Sequence, residues 1–439
     1  MSLQSLLLNS HSTQAKRVWK IGLLCGLCAI QPVFSFAARA ERPPIRLEIV
    51  LMRHGVRSPT SAPEDLGVYS NQSWPNWSID VGQLTPHGVD VMQAIGARYL
   101  EDYRKRGVIH TRCEQEKMVT IADSVPRNQA SAEAFLTGMQ PNCLATFSVA
   151  AHAVANPLFH FPVAKSSDKK TEDLVPQNMY PALAKLQEVL LGCDGPICWN
   201  AALQHNHTLL WNGAPEANAL KNAGSLSENI MLEYAEGFPL SQVGWGRVSQ
   251  ADIEQLITLH NASFAATKQN MPTAAQLGSN LLAHMLATLQ DAAGQTADTA
   301  PLAPFGTRVV LLMGHDSNLA NIAGLLNTTW KTPNQSDLFP PGGALLFDLI
   351  KKDHQYYVTV RVRMPELDAL RQADFKKYSS LRTTTLRLDA CNGQRSCPLS
   401  EFASWINGRL SQAYIQQNLP NMVETLQPIL SVSQKNAGE

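Results

Sequence analysis

The chain has 439 residues, enough for one large or two ordinary domains with a substantial core. Lys plus Arg and Asp plus Glu balance at 36 each, so no whole-protein field draws the chain to nucleic acid or to an acidic membrane surface. Any anion site must therefore be a local cluster, in a chain whose 44% hydrophobic content is ordinary for a soluble globular protein.

At the N-terminus Lys16, Arg17 and Lys20 precede the apolar run IGLLCGLCAI, and FAARA ends in small residues at Ala40. A basic, then apolar, then small-residue order is the pattern of a cleaved export signal. The apolar run is shorter than the roughly 20 residues that a spanning helix needs. Residues 1–40 are expected to be removed and the mature protein to be periplasmic, or secreted from a host without a periplasm, with no membrane attachment and as a monomer. Cys25 and Cys28 fall in that segment, which leaves Cys113, Cys143, Cys193, Cys198, Cys391 and Cys397. An even set in an exported chain favours disulfides. Proximity along the chain points to Cys193–Cys198 and Cys391–Cys397, with Cys113–Cys143 left over. The spacing lacks a zinc-ligand pattern, so no metal and no cofactor are expected.

Residues 45–52, ending in IVLM, read as a buried strand. Residues 83–107 read as a helix: Thr85 can cap it, Pro86 suits its first turn, Met92, Gly96, Tyr99 and Tyr103 recur at helical spacing, and Gly107 can end it. KMVTIAD (117–123) is a second strand and NQASAEAFLTG (128–138) a second helix. Strand, helix, strand, helix predicts an α/β layer with a mostly parallel central sheet and flanking helices. From about 165 to 295 helix signals dominate. Ser225 with Glu228 reads as a capping box opening one helix, Ser249 opens another, and 273–290 is a third amphipathic stretch. TRVVLLM (307–313) is a near-continuous apolar run of the kind that a central parallel strand shows, and GALLFDLI and YYVTVRVRM are later strands of the same sheet. The expected organisation is a first α/β part over 41–164, a smaller, mostly helical insertion over 165–295, and a second α/β part over 296–439.

The chemistry sits at strand ends. RHGVRSPT follows the first strand and brings Arg53, His54, Arg57 and Thr60; PRNQ follows the second strand and brings Arg127; GHDSN follows strand 307–313 and brings His315, Asp316 and Asn318. Open α/β sheets form their sites outside the carboxyl ends of strands, so these segments are expected in one crevice. Three guanidinium forks around an imidazole suit a phosphate dianion. No carboxylate lies close in sequence to Arg53 and Arg57, so the cluster is expected to be held by a bound anion; acids quenching those arginines would count against it. A neutral His54 could attack phosphorus, the arginines could stabilise the charge in flight, and Asp316 could protonate the leaving oxygen. Thr60 and Asn318 are also expected to contact the substrate, although Asn318 could instead cap the helix after the turn. His205 and His207 read as a solvated loop.

RHGVRSP with a distant HD resembles the histidine acid phosphatases of the phosphoglycerate-mutase-like superfamily. LTPHG, PRNQASAEAF, EGFPLSQVGWGR, HDSNLANI and PPGGALLF are similar to the bacterial periplasmic branch that contains phytases and glucose-1-phosphatase. The resemblance implies an α/β domain with a smaller α domain over the site, and no metal. It implies a nucleophilic His54, phosphoryl binding by Arg53, Arg57, Arg127 and His315, and a proton donor in Asp316. It also implies small phosphate monoesters, phytate foremost, as substrates, with a glucose-1-phosphatase-like sugar phosphatase as the alternative. Gln129 stands where relatives often carry a second arginine, Ser61 where some phytases carry a lysine, and Glu236 in EGFP is the more glucose-1-phosphatase-like feature. A mutase has no use for an adjacent Asp316 or an export signal, and a phosphate-ester binding protein has no need of His54.

Overall fold

Residues 45–53, IRLEIVLMR, alternate their side chains between two faces, and both faces are apolar. Leu47, Ile49 and Leu51 enter one hydrophobic core while Val50 and Met52 enter another. A strand buried on both sides belongs in the middle of a sheet. The computed structural model describes residues 45–427 apart from 111–112, 114–116, 144, 152–154 and 164–173. The export segment 1–40 and the boundary expected at 164/165 lie outside the described residues.

The chain opens with β1 (Ile45–Arg53), α1 (Pro63–Gly67), α2 (Pro86–Lys105), β2 (Met118–Ala122), α3 (Pro126–Met139) and β3 (Ala145–Ala150). Six helices follow: α4 (Tyr180–Leu191), α5 (Pro196–Gln204), α6 (Ala219–Glu236), α7 (Gln250–Leu256), α8 (Thr258–Phe264) and α9 (Met271–Ala292). The chain then returns to the sheet with β4 (Val309–Gly314), α10 (Asp316–Leu325), β5 (Ala344–Lys352), β6 (Gln355–Pro365), α11 (Leu367–Gln372), β7 (Leu381–Thr385), β8 (Cys397–Pro398), α12 (Leu399–Asn407) and β9 (Met422–Gln427).

The strand order is β7-β6-β5-β1-β4-β2-β3-β9, with β8 on β6. The run β1-β4-β2-β3 is parallel. The strands outside it pair antiparallel, so the sheet as a whole is mixed rather than parallel throughout. The short hairpin Asp353–His354 between β5 and β6, both residues at positive φ, makes that antiparallel return possible without a crossover. α2 and α3 cover one face through Val91, Met92, Ile95, Tyr99 and Phe135. α9, α10 and α12 cover the other through Leu282, Met285, Ile322, Phe402 and Ile406. Helices α4, α6, α7 and α8 extend the first core through Leu186, Leu226, Ile230, Leu256 and Leu259.

Local signals held where they were short-range. Thr85 accepts the Gly88 N–H at 2.8 Å as the cap of α2, and Ser249 with Asp252 forms a capping box on α7. Disulfides join Cys113–Cys143, Cys193–Cys198 and Cys391–Cys397 with Cα atoms 5.8, 5.9 and 5.5 Å apart. The expected helix start at Ser225 is corrected: α6 begins at Ala219, Ser225 lies inside it, and the Glu228 side chain turns away from its own helix to bond arginines of the first sheet segment. No helix among the described residues is long and apolar enough to cross a membrane.

α6 also carries Glu233, 1% exposed, whose Oε2 accepts the Gly244 N–H at 2.8 Å. Burial pushes its carboxyl up to about 8 against that single hydrogen bond. Between the unfolded value near 4.3 and about 8 the native state holds a proton that the unfolded chain has released, so stability falls as pH rises through that window. Glu233→Gln keeps an acceptor for Gly244 and removes the ionisation. Thermal melts should show the variant gaining on the parent at pH 8 and matching it near pH 4; an equal gain at both values sinks the assignment.

Candidate active site

β1 and β4 run side by side in a register that pairs Arg53 with Gly314. The His54 N–H donates to the Gly314 carbonyl at 3.0 Å, so the last residues of both strands stop at one level. His54 and His315 leave these adjacent ends with ring centroids 5.5 Å apart and planes at 77°. His54 is 1% exposed, and its Nδ1 lies 2.9 Å from the Gly55 carbonyl. Burial holds the imidazole well below its ordinary pKa, with Arg53 and Arg127 adding to the effect, so the ring is neutral. A neutral ring facing a carbonyl through Nδ1 carries its proton there, which leaves the Nε2 lone pair free. Gly55 is required here: a Cβ would sit 2.7 Å from Met92 Cγ and 3.1 Å from the Gly88 carbonyl.

His315 is oriented from behind. Its Nε2 donates to Asp123 Oδ2 at 2.7 Å, and its Nδ1 faces Arg127 Nη2 at 3.4 Å. Asp123 is itself fixed at the end of β2, where its N–H donates to Met313 O at 3.0 Å. Burial would raise this carboxyl, but hydrogen bonds from His160 and His315 hold it below the carboxylate range. The Asn318 amide is committed to backbone: Oδ1 accepts the His315 N–H at 2.9 Å and Nδ2 donates to Phe159 O at 2.7 Å. That amide clamps the turn between β4 and α10 and does not line the cavity described below.

The arginines are not free of acids, as the sequence had suggested. Arg53 has no exposed surface; its Nη atoms bond Glu228 and the Phe339 carbonyl, and Nη2 lies 2.9 Å from Asp316 Oδ2. Asp337 stands 3.6 Å behind it. Arg57 Nη2 meets both Glu228 oxygens at 3.0 and 3.1 Å. Glu228 thus bridges the two arginines, and it comes from α6, far outside any sequence window around RHGVR. Burial raises the Asp316 carboxyl, yet Arg53 and then His260 hold it far below the usual range, so it stands as the carboxylate.

A cavity of about 510 Å³ opens over these groups. His54, Arg57, Thr60, Arg127, His315 and Asp316 line it, joined by Glu228, His260, Lys221 and Lys268 from the helical segment. Arg53 lies behind its wall. Two guanidinium groups, a neutral histidine with a free lone pair and an aspartate therefore face one space. Such a constellation has the parts that transfer of a phosphoryl group to a histidine nitrogen and proton donation to an alkoxide require.

The profile of the histidine phosphatase superfamily (branch 2) matches residues 45–363. The chain belongs to that family. It is 27% identical over 427 residues to phytase AppA of Escherichia coli strain K12, covering 88% of this chain and 97% of that one. It is 25% identical over 426 residues to the glucose-1-phosphatase of Salmonella typhimurium, covering 88% and 99%. Among solved structures it superposes on the apo Hafnia alvei phytase with a TM-score of 0.74 at 27% identity, covering 85% of this chain and 98% of that one. The same enzyme in complex with myo-inositol hexakis sulphate gives the same score. The protein is a phosphoric monoester hydrolase of the histidine acid phosphatase type.

Sequence reading found the strand-end residues and missed Asp123, His160, Glu228 and His260. Asp123 closes the strand KMVTIAD, so the strand-end rule that picked Arg127 reaches it too. Glu228 and His260 sit on helices at positions that local signals assign to capping or to a core face. Asn318→Asp would set a carboxylate oxygen against the Phe159 carbonyl in place of the donor. It should destabilise the fold by about 1–3 kcal/mol in urea denaturation near neutral pH; an unchanged midpoint would show that the amide bears no structural role.

Proposed function

We propose that the protein is an exported acid phosphatase that removes phosphate from inositol polyphosphates through a phosphohistidine on His54. The observation that carries this reading is the His54 ring itself: neutral, with its proton turned to the Gly55 carbonyl and its lone pair free, in a cavity walled by Arg57, Arg127 and His315. Nε2 attacks phosphorus while the P–O bond to the ester oxygen breaks. Asp316, protonated in the loaded site, gives its proton to that leaving oxygen. A water then attacks the phosphohistidine, Asp316 takes one proton from it, and inorganic phosphate leaves with the Nε2 lone pair restored. Arg57 and Arg127 stabilise the oxygens in transit, and Arg53 joins them as the dianion draws it from Glu228 and Asp316.

The choice of a polyphosphate rests on the cavity's far side. Lys221 and Lys268 line it from α6 and from the π-helical turn Ala265–Gln269, and neither has an ion-pair partner among the described residues. One transferred phosphate is already served by arginines on other elements, so these two ammonium groups suit further phosphates of the same substrate. The inositol hexakis sulphate complex of the Hafnia alvei relative agrees with that reading. Glu236, the glucose-1-phosphatase-like feature, accepts from Thr85 Oγ1 at 2.5 Å and does not line the cavity. Three disulfides and the N-terminal pattern support export.

Two measurements test this. After mixing with a labelled phosphoester and denaturing quench, label should stay on the protein at His54 and vanish in His54→Ala. Asp316→Asn should keep the label while slowing turnover of alkyl phosphates about 10²–10³-fold, and of p-nitrophenyl phosphate much less, because a good leaving group needs no proton. Separately, Lys221→Ala with Lys268→Ala should raise KM for inositol hexakisphosphate about fivefold to tenfold and leave KM for glucose 1-phosphate unchanged; equal shifts for both would refute the polyphosphate assignment.

A further inference from the structure

Beside the phosphate-binding wall lies a second constellation that hydrolysis does not use in full. Asp123 Oδ2 receives two imidazoles at once, His315 Nε2 at 2.7 Å and His160 Nε2 at 2.9 Å. The two nitrogens are only 3.1 Å from each other. Asp123 is fully buried, and its other oxygen, Oδ1, has no hydrogen-bond partner among the described residues. The His160 side chain is 41% exposed and follows the Asn156–Phe159 turn, whose Phe159 N–H and His160 N–H both donate to Asn156 O. His160 and His315 both line the cavity.

From this geometry we propose that Asp123, His160 and His315 form a binding site for a divalent transition ion of the Zn²⁺ class. Two imidazoles and one carboxylate are the donor set that such ions take, with a fourth position left open. A tetrahedral site with bonds of about 2.0–2.1 Å has donor–donor edges of roughly 3.3–3.4 Å. The observed triangle of 2.7, 2.9 and 3.1 Å is that face slightly contracted. It opens by moving His160, the exposed member. One cation would replace the two N–H protons that now crowd a single oxygen, and its open position would face the cavity.

The charges around the site decide how strongly it binds. Arg53 is offset by Glu228, Asp316 and Asp337, and Arg57 by Glu228. Arg127 is the guanidinium left facing the ion, 3.4 Å from His315 Nδ1. Metallation of Nε2 moves the His315 proton to Nδ1, where it meets the Arg127 N–H donor to donor. Arg127 must then turn aside, which lowers affinity from that of a dedicated zinc centre to that of a reversible one. The inference is independent of the substrate reading, since it concerns an ion and needs no turnover.

The test uses tag-free, metal-stripped full chain titrated with Co²⁺, followed by visible absorption and calorimetry, then displaced with Zn²⁺. One Co²⁺ per chain with a ligand-field spectrum of low coordination number is expected, released by Zn²⁺. His160→Asn and His160→Gln should each weaken Co²⁺ binding tenfold or more while melting at the parent's temperature. A His205→Asn, His207→Asn double variant should bind as the parent does. Absence of binding at millimolar Co²⁺, undiminished binding in both His160 variants, or loss of binding in the His205/His207 variant would each overturn the proposal.

Discussion

The site depends on one pairing of backbone. β1 and β4 lie side by side in parallel with Arg53 opposite Gly314, and the His54 N–H extends that ladder by one bond to Gly314 O. A slip of a single residue in this register would send every side chain of β1 to the opposite face. The burial of both faces forbids it: Leu47, Ile49 and Leu51 fill one core and Val50 and Met52 the other. Packing of ordinary aliphatic residues is thus what places His54 and His315 at one level. The chemistry needs no strain of its own to bring His54 and His315 together.

The same register forces a charge problem, and α6 solves it. Arg53 is the last residue of a central strand, so its guanidinium is delivered into the interior with no exposed surface. An unpaired buried cation would cost several kcal/mol. Glu228 reaches in from the helical segment to bridge Arg53 and Arg57, with Asp316 and Asp337 completing the set. The helical segment therefore does more than roof the cavity. It supplies the carboxylate that keeps two arginines side by side in the absence of phosphate, and it leaves Arg127 without an ion-pair partner among the described residues to draw in an anion.

The sequence was most legible where physics acts over a few residues. The apolar runs that became β1, β2 and β4, the Thr85 cap of α2, the Ser249 box of α7 and the short-loop disulfides all follow from neighbours in the chain. The strand-end rule carried the reading from those runs to His54, Arg127 and His315 in one crevice. What it could not reach were partners chosen by tertiary packing. Ser225 and Glu228 have capping-box spacing, but α6 starts six positions earlier at Ala219, so an acid in the middle of that helix was read as a cap instead of a counter-ion. The mixed character of the sheet went unread although β6 alternates polar and apolar residues where β4 is continuously apolar, and the tight hairpin Asp353–His354 sets the antiparallel direction of β5 and β6.

Asp316 shows how the pieces act together. Arg53 holds it as a carboxylate, the wrong form for a proton donor. A phosphate dianion reaching Arg57 and Arg127 changes that balance in two ways. It competes for the Arg53 guanidinium, which loosens the contact that depresses the carboxyl, and it adds negative charge a few ångströms away. At an effective dielectric near 20, each added charge at 4 Å costs an ionised neighbour about 4 kcal/mol, equivalent to roughly three pH units. In the proposed mechanism the substrate thereby raises the proton affinity of Asp316, the group proposed to protonate it. On that mechanism acid chemistry is confined to the substrate-bound state, while the His54 ring stays neutral. On the proposed mechanism the pairing of arginines with carboxylates does not blunt the phosphate site; it makes binding and protonation one event.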